Sequence, residues 1–314
     1  MDKLYIVVPC YNEQECLVDS ANKLKDVVDN LISLEKISSD SKIVFVNDGS
    51  KDNTWNLIVK LNDENKIFQG VKLSRNKGHQ TAVMSGIDYA SQEADMVITI
   101  DADLQDDINV IETMIDRYHE GNEIVYGVRN NRITDTSFKR NSANMFYKFI
   151  RKMGVEVIDN HADFRLMSNR TCKALLEYKE ANLFLRGIVP QIGFPSCTIE
   201  YKRLKRTKGT SKYPLKKMIG LAMDGVTSFS IKPIRMILFF GCLFSFLSIL
   251  CMIVFSILFA CKVLTASYGF YILTSIWLVG GIILIMLGVL GEYVGKTYQE
   301  VKARPRYFIE KIIK

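Results

Sequence analysis

The stretch "MVITIDADLQDD" (residues 96–107) decides how this chain is read. An uncharged, β-prone run, Met96–Ile100, leads straight into Asp101, Asp103, Asp106 and Asp107. Three readings are open: a metal site, an acidic helix cap, or a solvated loop. Asp101 and Asp103 are two apart, so in an extended strand they share one face. Two carboxylates on one face repel unless a cation lies between them. Mg²⁺ or Mn²⁺ takes one or two carboxylates and fills its remaining positions with substrate phosphate oxygens and water. Gln105 offers a carbonyl oxygen from the same side. Asp106 and Asp107 precede Ile108–Ile111, where a helix is expected to start, and acids suit the cap and dipole there. The spacing of an EF-hand loop is missing.

Outward from this stretch, strand-like runs recur at Leu4–Val8, Lys42–Val46, Gly70–Leu73 and Glu123–Tyr126. Segments of helical period separate them. Leu17, Leu24, Val27, Val28, Leu31 and Ile32 form one face; Trp55, Ile58, Val59 and Leu61 a second; Ala82, Val83, Ile87 and Ala90 a third. This alternation predicts an α/β fold with a Rossmann-like, mostly parallel sheet covered on both faces. Ligands of such sheets bind beyond the carboxyl ends of the strands. The polar clusters Pro9–Glu13, Asn47–Ser50 and Asp101–Asp107 fall there. The chain lacks both GxGxxG and GxxxxGK[ST], so a dinucleotide cradle and a P-loop are excluded. Further on, Asp163–Met167 reads as a strand and Thr171–Leu176 as a helix.

The chain has 314 residues and a net charge of +7. Met236–Cys261 and Val263–Gly291 are 26 and 29 residues without a charge. About 20 apolar residues span a bilayer, so two transmembrane helices are expected. Lys232 and Arg235 precede them, Lys296, Lys302, Arg304 and Arg306 follow, and Lys262 alone occupies the turn, which predicts a hairpin with both ends in the cytoplasm. Met1-Asp2-Lys3 runs directly into a strand with no signal peptide. The expected organisation is a cytosolic domain over residues 1–210, an interfacial amphipathic region over 211–233, two spans over 234–291 and a cytosolic tail over 292–314. Ten basic residues against two acidic ones lie between Ile199 and Arg235, a surface suited to anionic headgroups. No nucleic-acid-binding module accompanies that charge. Seven cysteines without a CxxC fit a reducing compartment.

The motifs "VVPCYNEQE" (7–15), "VNDGSKDNT" (46–54), "LSRNKGHQTAVMSGIDYA" (73–90), "DADLQDD" (101–107), "ADFRLMS" (162–168), "RG" (186–187), "YKRLKRTKGTSKYPLKK" (201–217) and "GEYVGKTYQEVKARPRY" (291–307) occur in this order. Together they resemble the polyprenyl-phosphate glycosyltransferases of glycosyltransferase family 2. Within these the likeness is to the dolichyl-phosphate mannosyltransferase-like enzymes and the bacterial undecaprenyl-phosphate glucosyltransferases with two C-terminal spans. The resemblance implies a GT-A fold and an inverting transfer from a nucleotide sugar to a lipid phosphate in the bacterial cytoplasmic (inner) membrane. UDP-glucose is the first donor it suggests, with UDP-N-acetylglucosamine and UDP-galactose behind, and it allows a homo-tetramer.

Carried over by motif, Pro9, Tyr11 and Glu13 line the nucleoside and Asp48 meets the base. Asp101, Ala102 and Asp103 contact the donor, with Asp101, Asp103 and Gln105 holding the metal. Arg203 and Arg206 clamp the diphosphate, while others of the basic residues around them merely attract headgroups. Arg129, Arg140, Arg165, Ser211 and Lys212 are candidates for the acceptor phosphate. Asp163 is a base or positioning residue, or else makes a structural hydrogen bond. Asn47 stands where many members carry a second Asp. An acceptor phosphate is already ionised near neutral pH, because a phosphomonoester's second pKa is about 6, so attack needs no general base. His79, His119 and His161 have no metal-ligand spacing. A processive polysaccharide synthase would carry QxxRW, where this chain reads "FLRGIVPQ". A non-catalytic scaffold would predict a damaged acidic motif.

Overall fold

The computed structural model describes residues 1–130, 161–180, 183–202 and 268–314, with isolated positions between 239 and 257. Five strands and four helices alternate from the N-terminus: β1 (Leu4–Cys10), α1 (Leu17–Ser33), β2 (Lys42–Asn47), α2 (Thr54–Glu64), β3 (Phe68–Leu73), α3 (His79–Ala90), β4 (Met96–Thr99), α4 (Ile111–His119) and β5 (Ile124–Arg129). Then come β6 (His161–Ser168), α5 (Asn169–Glu177), α6 (Leu185–Gln191), β7 (Ser196–Tyr201), α7 (Tyr268–Val301) and β8 (Ile309–Ile313). All eight strands form one sheet in the order β7-β5-β6-β4-β1-β2-β3-β8.

The core follows the two-residue period of the central strand. Leu4, Ile6 and Val8 of β1 pack into one layer with Leu17, Leu24 and Leu31 of α1 and Ile58 of α2. Tyr5 and Val7 pack into the other with Ala82, Val83 and Ile87 of α3. Alternate residues point to opposite faces, so one strand supplies both cores. Gly86 lets α3 lie close to the sheet. A Cβ there would sit 2.3 Å from Val7 Cγ1 and 2.8 Å from Val46 Cγ2, well inside contact distance.

The parallel sheet expected from the sequence is interrupted once near its middle. β6 runs antiparallel to both β4 and β5. Its register pairs Met96 with Ser168 and Thr99 with Arg165. That pairing brings the Asp163 end of β6 alongside the end of β4, where the Thr99 hydroxyl donates to the Asp163 carbonyl at 2.5 Å.

Two strands depart from the sequence-based expectation. Ser196–Tyr201 is a strand, parallel to β5. Ile309–Ile313, in the stretch expected as a tail, lies antiparallel to β3 at the sheet edge, with Gly70 opposite Ile313 and Lys72 opposite Lys311. Lys72 Nζ meets Glu310 Oε1 at 2.6 Å, Tyr307 donates its hydroxyl to Asp88 at 2.6 Å, and Arg306 donates to the Tyr178 carbonyl.

Helix α7 is 34 residues long. Among the described residues no helix is long and apolar enough to cross a membrane. The expected interfacial region and most of the first expected span lie outside the described residues.

Candidate active site

The site begins where β4 stops. β4 ends at Thr99, one residue short of the expected strand, and Asp101–Asp103 follow in a turn rather than in extended backbone. The Leu104 amide donates to the Asp101 carbonyl at 3.2 Å, and Leu104 has a φ of +43°. The Gln105 amide donates to Asp103 Oδ1 at 3.3 Å. Ala102 is buried, its carbonyl accepting from the Ser20 hydroxyl at 2.6 Å. A tight turn therefore replaces the extended strand as the device that gathers Asp101, Asp103 and Gln105 at one strand end.

Asp163 reaches the same place from β6. Arg186 Nη2 lies 3.2 Å from its Oδ2 and Nε 3.3 Å from its Oδ1, while Arg165 Nη2 lies 2.9 Å from Oδ1. His79 Nε2 stands 3.6 Å from Asp163 Oδ2 and 3.6 Å from Asp101 Oδ1. Burial would push the Asp163 carboxyl up, but Arg186, His79 and Arg165 outweigh it and hold the group well below the usual carboxylate range. Burial disfavours the His79 imidazolium, yet the hydrogen bond to Asp163 and the charge of Asp101 prevail, and its pKa rises to about 9. The Asp101 carboxyl is pushed up, by burial first and by Asp163, Asp106 and Asp103 besides, with His79 opposing. Such a group gains from a nearby cation.

The structure shows what four of the candidate residues touch. Arg165 was expected at the acceptor phosphate. It is 1% exposed, because β6 is an interior strand, and it is spent on Asp163 and on the Leu185 carbonyl at 3.4 Å. Burial lowers its pKa, with Asp163 working against that. Asp48 was expected at the base. Its two carboxylate oxygens accept from the Lys77 amide at 2.7 Å and the Gly78 amide at 2.9 Å, so it holds the loop that delivers His79 to the start of α3. Burial raises its pKa against those two donors. Gly49, with φ +64°, packs on the same loop, where a Cβ would lie 2.4 Å from the Asn76 nitrogen.

Asp106 was expected as a helix cap. It is buried and bound to Arg129 and Tyr201, while Asp107 alone caps the short 3₁₀ turn Ile108–Val110, accepting from the Asn109 amide at 3.0 Å. Pro9 was expected to line the nucleoside but is a buried residue of β1, opposite Val46.

Tyr11 and Glu13 lie in the loop beyond β1, Tyr11 exposed and Glu13 half-buried. The Asn12 amide donates to Ser50 Oγ at 3.0 Å and the Glu13 amide to Thr54 Oγ1 at 3.0 Å, which ties this loop to the one after β2. Arg129 ends β5 with its Nη2 2.9 Å from Asp106. Arg140, Arg203, Arg206, Ser211 and Lys212 lie outside the described residues. His79, set aside in the sequence for want of metal-ligand spacing, and Arg186, without an expected role there, both stand at the site. Only the Gly-His step at the head of an apolar helix and the motif "RG" marked them.

A family model, glycosyl transferase family 2, matches residues 5–181. The chain is 50% identical over 307 residues to the uncharacterized glycosyltransferase YkoT of Bacillus subtilis (strain 168), covering 98% of this chain and 91% of that protein. It is 37% identical over 313 residues to the SfII prophage-derived bactoprenol glucosyl transferase of Shigella flexneri, covering 98% of each. A further relative at 36% over 318 residues is the prophage bactoprenol glucosyl transferase homolog of Escherichia coli (strain K12), covering 99% of this chain and all of that protein. With a GT-A-like α/β sheet and its acidic turn at the end of β4, this chain belongs to glycosyl transferase family 2 and is a glycosyltransferase.

Proposed function

We propose that the enzyme transfers a monosaccharide, glucose from UDP-glucose first among donors, onto polyprenyl phosphate, with inversion, at the cytoplasmic face of a bacterial membrane. The observation that carries this reading is the state of Asp163. Three cationic groups hold it ionised, and Arg186 and Arg165 occupy its oxygens. Such a group anchors charge and is a poor proton acceptor. Asp163 is thus no poised base, which fits an acceptor that arrives already ionised, and a lipid phosphate does so. A hydroxyl acceptor would not. The bactoprenol glucosyl transferases among the relatives support the acceptor class and the sugar.

The residues present fit a divalent cation. Asp101, Asp103 and Gln105 offer an all-oxygen donor set from one turn, the donor class that such a cation takes. Mg²⁺ or Mn²⁺ would supply Lewis-acid stabilisation of the leaving nucleoside diphosphate. The chain's own contributions are separate. The loop of Tyr11 and Glu13 receives the nucleoside. His79 and Arg186 keep positive charge beside Asp101 and Asp163. Arg129, Arg140, Ser211 and Lys212 are the candidates for the acceptor phosphate and Arg203 and Arg206 for the diphosphate, all but Arg129 lying outside the described residues.

Membrane attachment rests on the two uncharged stretches of 26 and 29 residues and on the apolar side chains that α7 leaves exposed, among them Ile272, Ile276, Val279, Ile283 and Leu290. β8 follows α7 and joins the catalytic sheet, so the chain after the second stretch is on the catalytic side. An even number of crossings, a hairpin, satisfies that. Assembly as a homo-tetramer rests on the family resemblance alone.

The test is direct. Purified enzyme is incubated with undecaprenyl phosphate, Mg²⁺ or Mn²⁺ and a panel of labelled nucleotide sugars. Label is expected in an organic-extractable product, from UDP-glucose first. Folded enzyme that moves no label from any donor refutes the proposal.

A further inference from the structure

We propose that Asp106 is a positioning residue: its carboxylate fastens the ends of β5 and β7 to the turn that carries Asp101 and Asp103. Its Oδ1 accepts from the Tyr201 hydroxyl at 2.6 Å, from Arg129 Nε at 3.0 Å and from Arg129 Nη2 at 2.9 Å. Asp106 is 1% exposed and Tyr201 3%. A helix cap would face the amides of its own helix. This carboxylate instead faces two other strands.

Arg129 and Tyr201 are the last residues of β5 and β7 and are partners in the parallel register. The Asn130 amide donates to the Tyr201 carbonyl at 2.9 Å, closing the junction from the backbone side. The tyrosine ring has a built seat. Gly127 leaves the space for it, since a Cβ there would lie 2.9 Å from Tyr201 Cε1, and Phe164 meets the ring edge-on with centroids 5.6 Å apart. The hydroxyl is thus aimed at Asp106 by packing on three strands.

The consequence is mechanical. Asp106 stands three residues after Asp103 on the same short loop. Arg203 and Arg206 follow Tyr201 in the chain, and Arg140 follows Arg129. One buried carboxylate therefore sets where both basic segments leave the sheet relative to the acidic turn. Its charge also matches Arg129, which would otherwise stand mostly buried without a counter-ion. The catalytic part of this inference rests on the proposed transfer to a lipid phosphate. The structural part does not.

The test uses the full-length enzyme in phospholipid nanodiscs, comparing wild type with Asp106→Asn and Tyr201→Phe. The second variant removes one hydroxyl and guards against loss of folding in the first. Three quantities are read: affinity for uridine without metal, kcat/KM for undecaprenyl phosphate, and amide exchange at residues 128–130 and 200–202. Uridine affinity is expected to stay within about threefold, because the nucleoside loop leaves β1, which β4 and β6 separate from this network. Removing a hydrogen bond to a charged group should cost kcat/KM for the lipid about tenfold or more and speed amide exchange by a similar factor. Parallel loss of uridine affinity and transfer would make the network merely structural and overturn the proposal. So would wild-type transfer and exchange in both variants. Should the wild type itself move no sugar, the proposed function falls and the exchange data decide alone: acceleration at 128–130 sustains the fastening role, and no change overturns it.

Discussion

Arg186 grips Asp163 with two nitrogens, Nη2 at 3.2 Å from Oδ2 and Nε at 3.3 Å from Oδ1. Arg165 holds the same carboxylate from the interior at 2.9 Å. An aspartate so placed is an electrostatic keystone for cations that would otherwise repel one another. Asp163→Asn should abolish transfer and lower stability together. Leaving buried Arg165 without its counter-ion costs about 3–5 kcal/mol, readable as a lower denaturant midpoint. The sign of the shift sets the pH behaviour. The folded pKa is depressed, so this stabilisation is present above the ordinary carboxylate range and fades as pH falls through the folded value. The acid limb of the rate should follow the acceptor phosphate, near pH 6. A limb that moved in Asp163→Glu would return Asp163 to the role of base.

His79 gives a second pH window of the opposite sense. Its folded pKa lies at about 9, above the ordinary histidine value. Its stabilisation is complete below about 6.5 and is lost as pH rises through about 9. The thermal midpoint of metal-free wild type should therefore fall between pH 6.5 and 9.5, and that of His79→Gln should stay flat across the same range. A wild-type midpoint that does not fall would contradict an imidazolium between Asp101 and Asp163. Added Mn²⁺ should move the window downward, because a cation on Asp101 competes with the imidazolium.

Asp103→Ala tests the acidic turn. Its carboxylate accepts from the Gln105 amide and is one of the proposed cation ligands. Transfer should drop by roughly 10²–10³-fold, the scale for losing a preorganised stabiliser of developing charge. UDP binding should lose its dependence on Mn²⁺, and far-UV circular dichroism should be unchanged. Metal-stimulated UDP binding in this variant would remove Asp103 from the ligand set.

Much of this was legible in the sequence, for physical reasons. β1 to β5 and α1 to α4 are interior elements whose apolar period is set by burial on both faces of the sheet. The expected faces of α1 and α3 are the ones that pack in the two cores. β7 and β8 were missed because edge strands need no such period. Ser196–Tyr201 buries little besides Tyr201, and Ile309–Ile313 carries Glu310 and Lys311 and is largely exposed. Their pairing is decided by the partner strand, which local sequence does not contain. The site divides in the same way. The acidic turn announces itself by spacing. The approach of Asp163, His79 and Arg186 depends on the antiparallel register of β6 and on the seat of α3 over Gly86, both tertiary. Arg165 read as a phosphate ligand because a strand arginine without visible partners looks available. An interior strand takes that availability away.

The edge strand offers the last test. Gly70 of β3 faces Ile313 of β8, and a Cβ on Gly70 would lie 2.7 Å from Ile58 Cγ2 and 2.9 Å from Ile313 Cγ1. Ile58 belongs to α2 and cannot retreat far from the core, so the strain falls on β8. Gly70→Val should cost about 1–3 kcal/mol, as overpacking does, and should release the last residues of the chain. Release would also undo the contacts made by Lys72 with Glu310 and by Tyr307 with Asp88. Trypsin should then cut after Lys302 and Arg306 about tenfold faster than in wild type, the change in open population that about 1.4 kcal/mol produces. Bare β3 would present an unpaired edge, so light scattering should rise with concentration. Equal cleavage rates in the two proteins would mean that β8 does not depend on the space that Gly70 leaves.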